Sequence, residues 1–262
     1  MNTGQTIRVV KVVATLVVLT IVWELACRVL KIPPYLVPAP SAIGSRLIEK
    51  YALFWDHSMV TLYETFAGFA LAVTVGVISA AIIVVIPAVR DVLMPLLLIA
   101  QLVPKVAIAP ILLVWFGYGI APKIIIAFLV AFFPIVVNVA AGLVAVEREL
   151  LDLGRSLEAS RWQIFWKFRI PTALPNLFSG MKIAITLAVT GAIIAEFVGG
   201  DKGLGYLIII ANQELDTPLA FAALLIISVA GILLYGAIEV AERLLIPWGQ
   251  TVHNESEAGA NP

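Results

Sequence analysis

Long uninterrupted runs of apolar residues limit the possible folds of this chain more than any other feature. Several runs reach twenty residues or more, about the length that a helix needs to cross the hydrocarbon core of a bilayer. Charged residues make up only 13% of the 262 residues, whereas soluble domains carry roughly a quarter. Because lipid offers no partner to backbone polar groups, each run should form a helix, and the chain is predicted to be a polytopic membrane protein.

We predict an all-α fold with six membrane-spanning helices. Their approximate ranges are 9–30, 60–86, 93–116, 122–146, 174–198 and 217–246, with proline, glycine and charged residues between them. The first run is longer than the apolar part of a signal peptide, which favours a retained helix. Residues 1–248 are therefore predicted to form one transmembrane domain, followed by a short polar tail at 249–262.

Positive charge is concentrated between the fourth and fifth predicted spans. Five of the 17 Lys and Arg residues lie in the 23 residues from Glu147 to Arg169. Cytoplasmic loops of membrane proteins retain an excess of Lys and Arg. This distribution predicts that the connection at 147–169 and both termini are cytoplasmic.

The same connection, here called the 147–169 segment, also carries apolar residues that a simple hydrophilic loop does not need. Its residues Leu150, Leu153, Leu157, Ile164 and Phe168 recur at helical spacing, which predicts one or two amphipathic helices. Trp and basic residues are common in helices that lie in the headgroup region. They are also favoured as anchors in protein interfaces. Both interpretations, a membrane-surface helix and a helix that docks into a cytoplasmic partner, remain open at this point.

The sequence provides little for catalysis, metal binding or nucleotide binding. Cys27 is the single cysteine, so the chain forms no internal disulfide, and both histidines, His57 and His253, lie outside the apolar runs. We therefore predict no catalytic, metal-binding or cofactor-binding residue. The chain contains no G-x-x-x-x-G-K-[ST] phosphate loop. Its net charge of zero gives no indication of nucleic-acid binding.

Four residues in or near the apolar runs are candidates for a translocation path: Pro104, Lys105, Pro110 and Glu196. Irregular backbone within a membrane is tolerated where it is buried in protein or lines a cavity, so the two prolines suggest that the third span lines a path. Lys105 is expected either to contact substrate or to pair with a carboxylate or with carbonyls freed by the prolines. Glu196 is expected to act at a gate, to contact a binding protein, or simply to lie at the interface.

For two further charged residues the sequence indicates a position at the membrane surface and no special function. Glu64 lies near the outer boundary of the second span and is expected to be a surface charge. Lys182 is expected to extend toward the membrane surface from the start of the fifth span.

The residues before the fifth span resemble the cytoplasmic signature of binding-protein-dependent ABC importer permeases. That signature consists of E-A-A, three residues, Gly, nine residues, Ile, one residue and Leu-Pro. In this chain Asp152-Leu153-Gly154 aligns with E-A-A, Glu158 with the Gly, Phe168 with the Ile, and Ile170-Pro171 with Leu-Pro. Every spacing is kept, while the residues at E-A-A and at the Gly differ from the family pattern. We therefore expect the location of the partner contact to be kept and its fine geometry to differ.

Further motifs are similar to the nitrate/sulfonate/taurine-type branch of these permeases. They are Pro38-Ala-Pro40-Ser41, Thr61-Leu62 with Gly68-Phe69, Pro104 to Pro110, Trp115 to Gly119, Phe132-Phe133-Pro134, Pro171 to Pro175 with Gly180, Glu196 with Gly203 to Tyr206, and Pro247-Trp248. Their order and spacing together are specific. Because proline in a first turn allows the chain to enter a helix from a new direction, Pro171 and Pro175 are expected to mark a sharp turn.

The resemblance implies a type I ABC importer permease fold in the bacterial inner membrane. It implies a pair of identical permease subunits, two cytoplasmic ABC ATPase subunits that hydrolyse ATP in place of this chain, and a periplasmic or lipid-anchored substrate-binding protein. The 147–169 segment would contain the coupling helix, with Trp162 as its anchor. The implied coupling residues are Asp152, Gly154, Arg155, Leu157, Glu158, Ala159, Ser160, Arg161, Trp162 and Pro171.

The solute implied by the resemblance is small and either anionic or heterocyclic. Nitrate-, sulfonate- or taurine-like anions and thiamine-precursor pyrimidines are the two classes. An ion-gradient-driven secondary transporter is the alternative, and it would usually show inverted repeats and several intramembrane ionisable groups.

Overall fold

The computed structural model describes residues 3–247, and the predicted tail at 249–262 lies outside this range. Within it the chain is almost entirely helical and contains no strand, which confirms the predicted all-α fold. The helices are α1 (Thr3–Val29), α2 (Pro40–Glu49), α3 (Tyr51–Val85), α4 (Pro87–Leu102), α5 (Lys105–Phe116), α6 (Ile120–Val144), α7 (Arg148–Ser156), α8 (Arg161–Ile164), α9 (Ile170–Gly199), α10 (Leu204–Gln213) and α11 (Thr217–Leu245), with a π-helical turn at Phe165–Arg169.

Five helices of the described range are long and apolar enough to cross a membrane. They are Val10–Val29 within α1, α3, α6, the continuous helix Arg161–Gly199, and α11. A sixth span results if α4 and α5 count as one broken span, in agreement with the six that the sequence predicts.

The predicted third span is divided at Pro104, where α4 and α5 meet at an angle of 93°. Pro104 has no backbone N–H with which to continue the hydrogen bonds of α4, and it disfavours helical geometry at the preceding residue. Val103 is accordingly extended, with φ −66° and ψ 126°. The break is therefore a direct consequence of the sequence at this position.

The chain divides into two compact units, of which the first comprises residues 3–60 and 201–228. In this unit the Glu24 carboxylate accepts hydrogen bonds from the backbone N–H of Ser41 at 3.0 Å and from its hydroxyl at 2.8 Å, which connects α1 to the start of α2. Arg46 on α2 forms an ion pair of 2.9 Å with Asp216 before α11. Hydrogen bonds from its guanidinium to Asp216 and Glu49 raise the pKa of Arg46 further above its usual value.

The second unit comprises residues 61–200 and 229–247, and α6 lies at its centre. Ala127 of α6 meets a glycine on each side. A Cβ atom built on Gly68 of α3 would lie 2.5 Å from the Ala127 side chain, and one built on Gly191 of α9 would lie 2.8 Å from its backbone. Small residues allow helix backbones to approach closely in membrane proteins, where apolar burial alone does not select a partner. These glycines therefore determine how closely α3 and α9 pack against α6.

The expected sharp turn at Pro171 is not present. Residues Arg161–Gly199 form one helix of 39 residues, and the chain changes direction earlier, between Leu157 and Ser160. The π-helical turn explains this, because the N–H of Ile170 bonds to the carbonyl of Phe165 and keeps Ile170 helical directly before Pro171.

Candidate functional site

The 147–169 segment consists of two short helices, α7 and α8, joined by a four-residue turn. Helix α7 ends in a Schellman motif, in which the N–H of Ala159 bonds to the carbonyl of Gly154 and that of Glu158 to the carbonyl of Arg155. Glu158 occupies the left-handed position of this motif with φ 57°. Helix α8 begins with a capping box formed by Ser160 and Gln163, which satisfies two backbone N–H groups.

Part of the predicted apolar face of the segment is buried inside the segment itself. Gly154 is buried, and a Cβ atom at this position would lie 3.5 Å from Phe168 and 3.6 Å from Ile164. These two side chains are half-buried. Gly154 of α7 therefore faces α8 and the π-helical turn at ordinary van der Waals distance.

Several other apolar residues of the segment are exposed. Leu153 is 52% exposed, Leu157 is 71% exposed, Trp162 is 68% exposed and Trp166 is 50% exposed. The Trp162 ring lies 5.4 Å from Trp166 and 6.3 Å from Phe165 between ring centroids. An exposed aromatic and aliphatic surface of this kind, within a charged segment, is typical of an interaction site.

Charged side chains surround this apolar surface. Asp152, Glu158 and Arg161 are exposed, and Arg155 forms an exposed ion pair of 3.0 Å with Asp152. Of the other residues that the sequence assigns to this site, Ser160 is exposed, Ala159 is half-buried, and Pro171 is half-buried in the first turn of α9.

The segment is firmly attached to the transmembrane helices. Arg169 donates a hydrogen bond of 3.1 Å to the carbonyl of Leu143 near the end of α6, and Phe165 packs against the core of α3, α6 and α9. Because α8, the π-helical turn and α9 form one continuous helix, a displacement of the segment would act directly on α9.

The candidate path residues of α4 and α5 lie at the 93° bend. Pro104 and Pro110 are exposed, and Lys105 is half-buried. The Lys105 ammonium donates a hydrogen bond of 2.8 Å to the carbonyl of Gln101 and lies 5.5 Å from the centroid of the Phe133 ring. The helix break leaves this carbonyl without a partner in α4. Lys105 therefore pairs with a freed carbonyl, which is one of the interactions expected from the sequence.

Glu196 lies in a group of buried polar side chains that the sequence analysis did not predict. The Thr61 hydroxyl donates a hydrogen bond of 2.7 Å to the Glu196 carboxylate. The Lys123 ammonium lies 3.1 Å from the Glu64 carboxylate. We name the set of Thr61, Glu64, Thr65, Lys123 and Glu196 the buried polar cluster. Its members are at most 4% exposed.

The buried polar cluster corrects the prediction for Glu64, which is 0% exposed and is not a surface charge. Its partner Lys123 is 3% exposed. A signal was present in the sequence, since Thr61, Glu64, Thr65 and Gly68 fall on one face of a long apolar helix. Lys182 pairs with Glu242 of α11 at 2.5 Å, an interaction that was also not foreseen.

The fold and the exposed segment together define a multi-pass membrane protein that carries an exposed interaction surface. Residues 72–247 match the family described as the binding-protein-dependent transport system inner membrane component. The chain belongs to this family, and it is a multi-pass inner-membrane permease subunit of an ABC importer. A permease of this kind works with ATPase subunits and a substrate-binding protein. The family assignment gives no support to the ion-gradient-driven alternative.

Several relatives match nearly the whole chain, among them three whose names state what they transport. The formylaminopyrimidine transport permease protein of Halalkalibacterium halodurans is 36% identical over 88% of this chain and 92% of the relative. The riboflavin transport system permease protein of Chloroflexus aurantiacus is 35% identical over 89% of this chain and 88% of the relative. The taurine transport system permease protein of Escherichia coli is 28% identical over 90% of this chain and 88% of the relative. They confirm the resemblance to the nitrate/sulfonate/taurine-type branch.

A solved structure of the methionine ABC transporter MetNI in an inward-facing conformation has the same fold. Its TM-score is 0.63 at 20% identity, and the match covers 71% of this chain and 93% of that chain. This similarity confirms the predicted type I importer permease fold.

Proposed function

We propose that this chain forms, with a second copy, the translocation path for a small heterocyclic or anionic solute that an external binding protein delivers. In this proposal the 147–169 segment receives the movement of a cytoplasmic ATPase. The observation that carries the proposal is the exposed surface of Leu157 and Trp162 on a segment continuous with α9.

The exposed aromatic surface supports docking to a protein more than simple contact with water. Trp and Arg are enriched among the residues that contribute most to protein interfaces, and here Trp162 is adjacent to Arg161. We assign the anchoring contact to Trp162 and a second apolar contact to Leu157. Asp152, Arg155 and Arg161 supply the polar rim that such interfaces have.

Other residues of the signature position this surface. Gly154 lies where α7 contacts Ile164 and Phe168, while Glu158 and Ala159 complete the turn that ends α7. Ser160 caps α8, and Pro171 begins α9. These residues act on the interface through the conformation of the segment.

The decisive experiment compares Trp162→Ala with Trp115→Ala. Trp115 is 72% exposed on α5, outside the 147–169 segment, so its replacement removes a similar amount of exposed aromatic surface. Co-expression with the ATPase subunits and co-purification measures assembly. We expect Trp162→Ala to lower ATPase recovery and ATPase activity about tenfold or more, with normal insertion, and Trp115→Ala to match the unmodified chain. Normal assembly of Trp162→Ala would contradict the docking assignment.

We further propose that the bend between α4 and α5 lines the translocation path. Pro104 exposes carbonyls that the helix no longer uses, and Lys105 places a positive charge beside one of them. Polar backbone of this kind is tolerated within a membrane where protein or a water-filled cavity surrounds it. Pro110 and Glu196 are the other path candidates from the sequence.

For the solute, we propose a nitrogen heterocycle as the first class to test. The relatives named for formylaminopyrimidine and riboflavin share 36% and 35% identity with this chain, whereas the taurine relative shares 28%. Uptake of labelled formylaminopyrimidine, riboflavin and taurine by cells that express the complete importer separates the classes. Uptake of taurine alone would contradict the heterocycle assignment.

A further inference from the structure

The buried polar cluster is an unusual feature in helices that are otherwise apolar. It places two carboxylates and one ammonium group, all at most 3% exposed, within the spanning part of the second unit. Removing charged groups from water is costly, and ionisable groups inside membrane segments are by default functional candidates. The cluster therefore requires an explanation beyond helix packing.

Two contacts connect three helices at one level. The ion pair of Glu64 and Lys123 joins α3 to α6, and the hydrogen bond of Thr61 to Glu196 joins α3 to α9. Thr61 and Glu64 are three residues apart on α3 and therefore lie on the same face. Helix α3 thus contacts α6 and α9 through adjacent polar side chains.

This level lies at the ends of the helices far from the 147–169 segment. Lys123 is in the first turn of α6 and Glu196 is in the last turn of α9, whereas the segment follows α6 and precedes α9. About 38 Å of helix lies between Pro171 and Glu196. The cluster and the segment are therefore at opposite ends of the same helices.

The geometry does not suit direct contact with a transported solute. Side chains that are at most 4% exposed leave no surface for a solute to reach. Polar contacts do, however, specify relative position more strictly than apolar contacts. An ion pair or a hydrogen bond is lost when helices slide by a few ångströms, whereas apolar surfaces remain in contact.

We propose that Glu64, Lys123 and Glu196 are positioning residues for transport, which hold the far ends of α3, α6 and α9 in one register. A displacement applied at the 147–169 segment then reaches these ends as the movement of one rigid group. The proposal rests on the proposed function, because it assumes that an ATPase displaces the segment. It assigns to Glu196 a positioning role in place of contact with solute.

The test uses the complex with its ATPase subunits and three double variants. Glu64→Met with Lys123→Met replaces the pair by apolar side chains, and such replacements often preserve stability. Glu64→Lys with Lys123→Glu exchanges the two charges and keeps an ion pair. The matched control is Lys182→Met with Glu242→Met, which removes a different ion pair between α9 and α11.

Amide hydrogen exchange is measured without nucleotide and after trapping with ATP and vanadate. We expect residues 61–66 and 120–125 of the double Met variant to exchange about tenfold faster than the unmodified chain in the trapped state, with a much smaller difference without nucleotide. The charge-swapped variant and the control variant should show the same amide exchange rates as the unmodified chain. A purely structural role would produce the same difference in both states.

Two results overturn the proposal: unchanged exchange of the double Met variant in both states, or an equal increase in both. If this variant does not accumulate, the charge-swapped variant Glu64→Lys with Lys123→Glu decides. Amide protection equal to that of the unmodified chain supports the proposal, and loss of protection contradicts it. Failure of the unmodified chain to assemble with the ATPase would instead contradict the proposed function.

Discussion

Glu158 has a backbone conformation that residues other than glycine rarely adopt. Its φ of 57° lies in the left-handed region, at the position of the Schellman motif that glycine usually occupies. The sequence alignment placed Glu158 at the Gly of the family signature, and the structure shows why that signature has a glycine. The chain keeps the turn with a residue that is unfavourable for it.

Glu158→Gly should therefore stabilise the segment. Glycine adopts the left-handed conformation without the steric cost of a Cβ atom, a difference of about 1 kcal/mol. We expect a higher apparent melting temperature of the detergent-solubilised protein. Glu158→Ala is the control, since it removes the same charge and keeps the Cβ atom. Equal stabilisation by both variants would show that the charge, and not the backbone, was responsible.

Among the helices, α6 organises the second unit because α3 and α9 both approach it at Ala127. The sequence predicted α6 as a span from its apolar length, but it did not predict which helices pack against it. Hydropathy is the same for a lipid-facing and a protein-facing apolar side chain, so helix pairing is not visible in it. Glycines within apolar runs, such as Gly68 and Gly191, were the available signal.

Gly191→Ala should weaken this packing. The added methyl group would lie 2.8 Å from the Ala127 Cα atom, so the backbones of α6 and α9 must separate. We expect a loss of about 1–3 kcal/mol, as for other overpacked cores, measured as a lower melting temperature. Gly231→Ala on α11 is the matched control, because nothing lies within 4 Å of the added atom. A loss of stability in Gly231→Ala of the same size would refute this explanation.

Two prolines show how far an element can be predicted from its sequence. Pro104 divides the third span, as the loss of a backbone N–H predicts. Pro171 was expected to mark a sharp turn, yet the helix continues through it because the π-helical turn supplies a different hydrogen bond to Ile170. The residue type is the same, and only the local hydrogen bonding distinguishes the two outcomes.

At the scale of the whole molecule, the sequence was sufficient to predict a polytopic membrane protein and its family. Both predictions depend on the order and length of segments. The pairing inside the buried polar cluster was not accessible, because the sequence does not show that Glu64 meets Lys123, which lies 59 positions further along the chain. Each charge in isolation resembled an ordinary residue near the membrane surface. Charges near the ends of spans therefore need a structure before they can be assigned.

The orientation of the chain is the remaining prediction at this scale, and α6 provides the test. This helix of 25 residues extends over about 38 Å, enough to separate the two faces of a membrane. Tyr118, which is 86% exposed, precedes it, and Leu157, which is 71% exposed, follows it. In a Cys27→Ser background we introduce Tyr118→Cys or Leu157→Cys and label with a membrane-impermeant maleimide.

We expect intact spheroplasts to label only Tyr118→Cys, and inside-out vesicles to label only Leu157→Cys. The physical reason is that the five Lys and Arg residues of the 147–169 segment retain it in the cytoplasm. Permeabilised membranes, in which both variants should react, control for accessibility of the thiols. Labelling of Leu157→Cys in intact spheroplasts would place the segment outside the cell. No cytoplasmic ATPase could then reach Trp162, and the proposed coupling would be wrong.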